Sequence, residues 1–369
     1  MFRPAIKIAH ISISLLTLGG VFLLLCLPVQ APSQTSNISK LETKKSYRPD
    51  YVRGIYLTAA TAGNDKLRQQ LINKIKDSRI NTVVIDIKDY SGYILYDSQV
   101  PSVREYKAFK KIMDANQVIK DFHDINVYII ARQTVFQDPV LAPARPDLAL
   151  ATKAGAIWKD KNNLAWLDPK EKGVWEYNVA IAQEAINLGF DEINFDYMRY
   201  PSDGNIANIN YGLANNETKS QALEKFYQYL SQQLSVLSPI SIDMFGLVMD
   251  NASTQYDLGI GQRLVNALDN FDYVCPMMYP SHYANNYLGF KNPADYPGEV
   301  IRYGLATTTP IWNDKRASVR PWLQAFSIGA IYDKTKIEAQ IKETENASSS
   351  TGWLLWNARN YYPDFIFVK

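Results

Sequence analysis

The sequence predicts an α/β fold, a single-domain (β/α)8 TIM barrel preceded by an apolar export or anchor segment. Two observations carry the barrel expectation. From Tyr51 onward, eight apolar runs of strand length alternate with amphipathic helical stretches, the pattern of a parallel sheet wound with helices. Within those runs one parity is aliphatic and the other polar or ionisable, as in Val83, Ile85 and Ile87 against Asp86 and Lys88. The 369 residues accommodate such a barrel, which needs roughly 250 residues, as one unit.

The elements follow in order. Arg3 and Lys7 precede an uncharged run over 11–28, a basic segment and then an apolar one, which predicts export. That run is long for a cleaved signal and near the minimum for a spanning helix, so residues 1–31 read equally as signal peptide or retained membrane anchor. Pro32 follows the passable cleavage triplet Val29-Gln30-Ala31, and Leu25 is too large for a lipoprotein site at Cys26. Residues 32–50 are polar and aperiodic, the composition of a flexible linker, and 51–369 form the barrel domain. Its strands are expected over 52–57, 82–88, 127–132, 192–196, 241–245, 273–279, 320–326 and 352–357. Helices are expected near 65–78, 114–124, 173–188, 217–236, 260–268, 294–304 and 334–346, with the eighth missing or vestigial.

Composition removes several classes of function. A net charge of +2 with both signs interspersed offers no footprint for nucleic acid. With three histidines, one of them His10 in the export segment, a three-histidine zinc site cannot be built, and no Gly-rich phosphate loop marks a nucleotide site. No metal or cofactor is expected. Cys275 reads as a small core residue, and two cysteines make no disulfide framework. Aromatic residues at 12% are enough to line a sugar cleft as well as a core. Any hydrolytic chemistry falls to carboxylates.

Strand parity turns Asp86, Lys88, Arg132, Asn194, Asp196, Asp243, Tyr279 and Gln324 inward, toward one barrel mouth. Burying such a set costs several kcal/mol unless its members pair, so it points to a site, or for Asp86, Lys88 and Arg132 to an internal ion network. Asp196 ends the strand FDEINFDYMRYP and is the leading candidate for nucleophile or electrostatic stabiliser, with Arg199 and Lys88 as cations to hold its charge. Glycosidic hydrolysis needs a second carboxyl, and Asp243 on the neighbouring strand is the best acid/base, followed by Asp86 and Asp89. Arg132, Asp138, Tyr279 and His282 flank strand exits as sugar-hydroxyl or acid-tuning contacts. Trp356 ends the eighth strand, where it can stack on a sugar face or fill the barrel mouth.

The segments YVRGIYLT, NTVVIDIKDYSG, ARQTVFQDP, FDEINFDYMRYP, IDMFG and MMYPSHY together resemble the glycosyl hydrolase barrels classed as domain of unknown function 4015, over about residues 51–360. The resemblance implies a TIM barrel with Asp196 in the fourth-strand catalytic place and Asp243 in the fifth. It implies no particular sugar. The fourth strand also invites comparison with family 18 chitinases, but Met198 stands where their catalytic glutamate would be, which excludes that mechanism. The expected partner is an extracellular or envelope polysaccharide, cleaved by the carboxylate pair. A non-catalytic glycan-binding barrel at the cell surface is the alternative, and a deacetylase or lyase on the same fold is a third reading.

Overall fold

The computed structural model of the chain describes residues 48–214 and 216–369. The expected signal or anchor over 1–31, and the linker up to residue 47, lie outside the described residues. Eight parallel strands close into a barrel: β1 (Val52–Leu57), β2 (Thr82–Lys88), β3 (Tyr128–Thr134), β4 (Glu192–Asp196), β5 (Ile240–Phe245), β6 (Tyr273–Met277), β7 and β8 (Gly352–Trp356). The seventh, β7, comes in two pieces, Ser318–Val319 and Trp322–Gln324, interrupted at Pro321, which has no N–H for the ladder. Strands neighbour one another in chain order, β8 pairs with both β1 and β7, and Trp322 meets Met277 of β6 to complete the closure.

Among the described residues, the helices that follow strands around the sheet are α1 (Asp65–Ile75), α2 (Ala115–His123), α3 (Lys172–Leu188), α4 (Lys219–Leu234), α5 (Leu264–Ala267), α6 (Pro297–Thr308) and α7 (Lys334–Glu345), with further short helices at Ala59–Gly63, Pro101–Glu105 and Leu141–Ala144. Local chemistry sets their ends. The Asn64, Asp114 and Asp333 side chains accept the backbone N–H three residues on, and Thr218 with Gln221 forms a reciprocal capping box. Gly189, at φ +109°, stops α3 in the left-handed conformation. Helix α5 is shorter than its apolar pattern because Gly259 and Gly261 hold φ of +70° and +84° just before it. Helix α6 starts three residues later than expected, where Pro297 supplies a preset first turn. In place of an eighth helix there is one 3-10 turn, Asp364–Phe367.

The parity expectation holds in the packing. Val83, Ile85, Ile87, Ile129, Ile193, Phe195, Ile242 and Leu355 join the layer between strands and helices. Val52, Tyr56, Val84, Tyr128, Ile130, Cys275, Trp322 and Leu354 form a separate cluster within the barrel. Each such buried aliphatic side chain stabilises by about 1.5–3 kcal/mol. Near the N-terminal ends of the strands the interior is ionic: Arg320 pairs with Glu192, both fully enclosed, and Glu192 also accepts from Ser241 Oγ at 2.6 Å. Between β3 and α3 the chain makes a long excursion that the hydrophobic pattern does not announce. It carries Ala151–Thr152, paired antiparallel with Ile209–Asn210, and brings Trp166 to the barrel mouth.

Candidate active site

Strand register builds the site. Asp86 of β2 pairs with Arg132 of β3, which in turn pairs with Asn194 of β4. Asn194 pairs with Ser241 and Phe195 with Ile242, so Asp196 and Asp243 are the next residues along two adjacent strands. Three aspartates and one arginine thereby point into the same C-terminal mouth.

The Arg132 guanidinium is the hub. Its Nη1 meets Asp86 Oδ1 at 2.6 Å, its Nη2 pairs with Asp196 Oδ2, and its Nε lies 3.5 Å from Asp243 Oδ2. All four side chains are buried. Burial opposes a charge on Arg132, but Asp196 and Asp86 outweigh it and raise its pKa well above the usual value. Its charge is therefore fixed. The Trp356 ring lies 5.0 Å from its Cζ and stacks on Tyr56 at 3.9 Å.

The three carboxyls have different surroundings. Asp86 accepts from Tyr56 Oη at 2.5 Å as well as from Arg132, yet burial still raises its pKa. Asp196 accepts the N–H of Tyr197 on Oδ1 at 2.5 Å and Arg132 on Oδ2. That backbone contact is made by Tyr197 at φ +54°, a left-handed conformation unusual for a bulky residue and the kind of strain that clusters at functional sites. Asp243 Oδ1 accepts from Trp322 Nε1 at 2.7 Å and Asn194 Nδ2 at 2.9 Å. Burial first and Asp196 second push Asp243 up to about 8, against the opposing pull of Arg132 and the two hydrogen bonds. Burial and the neighbouring Asp196 thus dispose Asp243 to hold a proton.

Of the residues expected at the site, Arg132, Asp196, Arg199, Asp243, Tyr279 and Trp356 line one cleft of about 170 Å³. Asp86 and Asn194 hold those residues by the bonds just described. Lys88, Asp89 and His282 take other places. A register shift between Asp86 and Lys88 turns Lys88 to a fully buried pair with Asp138 at 2.9 Å and to the Thr134 carbonyl, so the cation on Asp196 is Arg132 and not Lys88. Asp89 Oδ1 accepts from the Ser91 N–H and hydroxyl in the turn after β2. His282 packs edge-on against Tyr279 and Phe326, and its Nδ1 lies 3.0 Å from Ser281 Oγ. Gln324 accepts from Ser281 N and donates to the Phe326 and Ile328 carbonyls, bracing loops outside the cleft lining. Cys275 is buried, and burial raises its thiol far from reactivity.

The sequence reading omitted Tyr197, Phe245, Met277 and Trp322, which complete the cleft lining. Trp322 shares the inward parity of Gln324, so that signal was present. Trp166, which touches Tyr197 and Arg199, sits in the aperiodic excursion and gave none. Among the described residues no group of three or more His, Cys, Asp or Glu is placed to hold a metal ion.

A parallel barrel with two inward carboxyls side by side at the C-terminal ends of adjacent strands, under aromatic walls, is an architecture of the glycosyl hydrolase class. The chain belongs to the family described as "putative glycosyl hydrolase domain", domain of unknown function 4015, whose model matches residues 54–362. No curated protein matches it in sequence. Among solved structures it is similar to a hypothetical protein from Ruminiclostridium thermocellum ATCC 27405, at 39% identity over 51% of this chain and 96% of that one, with a TM-score of 0.48. It is also similar to an α-galactosidase from Thermus thermophilus, at 10% identity, 87% of this chain, 62% of that one and a TM-score of 0.53. An exo-β-N-acetylglucosaminidase from Vibrio harveyi matches at 11% identity, 86% of this chain, 54% of that one and a TM-score of 0.53. The chain spans 62% and 54% of the two glycosidases, less than two thirds of each, and at these identities the likeness shows the barrel fold alone.

Proposed function

We propose that the chain hydrolyses glycosidic bonds of an extracellular or envelope polysaccharide with retention of anomeric configuration, Asp196 acting as nucleophile and Asp243 as acid/base. The supporting observation is that the two carboxyls line one cleft and share the Arg132 guanidinium, Asp196 on Nη2 and Asp243 beside Nε. Two carboxyls held on one guanidinium favour the ~5–5.5 Å separation typical of retaining enzymes over the ~6.5–9.5 Å by which inverting enzymes admit a water. Asp243, protonated up to about pH 8, gives its proton to the departing glycosidic oxygen as the C–O bond breaks. Asp196 forms an ester to the anomeric carbon. In the second step Asp243 takes a proton from water, the water oxygen attacks the anomeric carbon, and the ester bond to Asp196 breaks. Arg132 and the Tyr197 N–H hold the Asp196 oxygens in line throughout. Tyr279 and Trp356 offer apolar faces to the sugar. The apolar segment over 11–28, behind Arg3 and Lys7, supports an activity outside the cytoplasm.

Proton NMR of the first-released anomer from a cleaved glycan tests the reading. Retention is expected. Release of the inverted anomer contradicts the paired-carboxyl mechanism.

A further inference from the structure

One charged side chain of the cleft has no part in the two steps above. Arg199 follows the left-handed turn at Tyr197, and its guanidinium lies among three rings, with Cζ 4.8 Å from Phe245, 5.0 Å from Trp166 and 5.4 Å from Tyr197. Its Nη1 donates to the Tyr200 carbonyl at 3.1 Å and to Ser202 Oγ at 3.3 Å. No Asp or Glu among the described residues lies within ion-pair distance of it, whereas Arg132, in the same cleft, meets three. Its Nε and Nη2 have no protein acceptor, and neither is sealed away as a buried unpaired atom. Arg199 itself lines the cleft.

Stability does not account for this arrangement. Withdrawing a guanidinium from water without a carboxylate is unfavourable, and burial lowers its hold on its proton. Stacking on aromatic faces offsets part of that cost and leaves two donors of a planar fork without a protein acceptor among the described residues. That fork matches a carboxylate or sulfate through two parallel hydrogen bonds. We propose that the sugar held in this cleft carries an oxyanion substituent, a uronic carboxylate or a sulfate ester, whose oxygens take Nε and Nη2 of Arg199. The inference rests on the reading of this cleft as a sugar site and names its substrate class as acidic polysaccharide. The three rings hold the plane of the fork, so recognition is directional.

The test is binding of the folded domain to matched glycans: oligogalacturonates against neutral galactans, and sulfated against unsulfated galactans. The acidic members are expected to bind at least tenfold tighter, the preference shrinking with added salt. The carboxylate and sulfate pairs separate the two sources of the oxyanion. Arg199→Gln is expected to abolish the preference, read as the ratio of acidic to neutral affinity. Arg199→Lys keeps the charge without the fork and restores part of it, which also covers the case of a poorly folded glutamine variant. Equal binding of acidic and neutral members, a preference that survives in Arg199→Gln, or no binding of any acidic glycan overturns the proposal. Acidic glycans that bind through Arg199 but are not cleaved contradict the hydrolytic reading alone. Cleavage with no preference for the charged series contradicts this one alone.

Discussion

Arg132→Met probes the hub of the site. The substitution keeps an unbranched side chain of similar reach and removes the cation that touches Asp86, Asp196 and Asp243. Breaking a buried ion pair by deleting one partner costs about 3–5 kcal/mol, because the remaining charges stay desolvated. For a domain of this size that lowers the melting temperature by about 6–10 °C at neutral pH. The loss must depend on pH, and the sign is fixed. Without the guanidinium, which opposes the effect of burial, the folded-state pKa of Asp86 rises further above its unfolded value near 3.9. The folded state then binds more protons than the unfolded one, so stability falls as pH climbs from about 4 through the raised values. Asp86 is already raised with Arg132 present, which sets the direction of the change. Thermal melts followed by circular dichroism at pH 4.5, 6 and 8 are expected to show a small deficit at the acidic end and the full deficit at pH 8. A deficit of about 2 °C or less at every pH, or one that is the same at every pH, would refute the hub.

With Asp243 raised to about 8 by burial and Asp196, kcat/KM is expected to fall as pH rises through about 8, where the proton donor is lost. Trp322→Phe removes a donor that favours the charged form of Asp243, so the alkaline limb of a pH–rate profile should move upward. A limb that stays in place removes Asp243 from the acid role. Lys88→Met leaves Asp138 buried without its cation and is expected to lower stability by about 3–5 kcal/mol. Because Lys88 does not touch Asp196, the shape of the pH–rate profile should not change, and a profile that shifts would return Lys88 to the site.

Much of this was legible in the sequence for a physical reason. Strand parity in a barrel is a two-residue repeat, so Asp86, Arg132, Asn194, Asp196 and Asp243 could be turned inward from spacing alone, and all five meet around one mouth. What parity cannot give is the partner across the barrel. Lys88 has the right parity, but a shift in strand register, set by tertiary packing, carries it to Asp138. Arg199 and Asp196 are three residues apart, yet the left-handed turn at Tyr197 gives Arg199 rings instead of the aspartate. The strand expected over 320–326 broke at Pro321, a signal that was readable. The excursion between β3 and α3 has no period, so Trp166 could be found only in three dimensions.

Asp196→Asn, assayed on a glycan that the unaltered protein cleaves, tests the central claim most directly. The variant keeps the shape of the side chain and its acceptor for the Tyr197 N–H, but removes the charge of the proposed nucleophile and part of the match to Arg132. Because Arg132 retains Asp86 and Asp243, the stability cost stays at about 1–3 kcal/mol and the domain remains folded. Turnover is expected to drop by roughly three orders of magnitude or more while glycan binding persists. A folded Asn variant that cleaves the same glycan at the native rate would show that Asp196 is not the nucleophile, and the carboxylate pair would not be the catalytic centre.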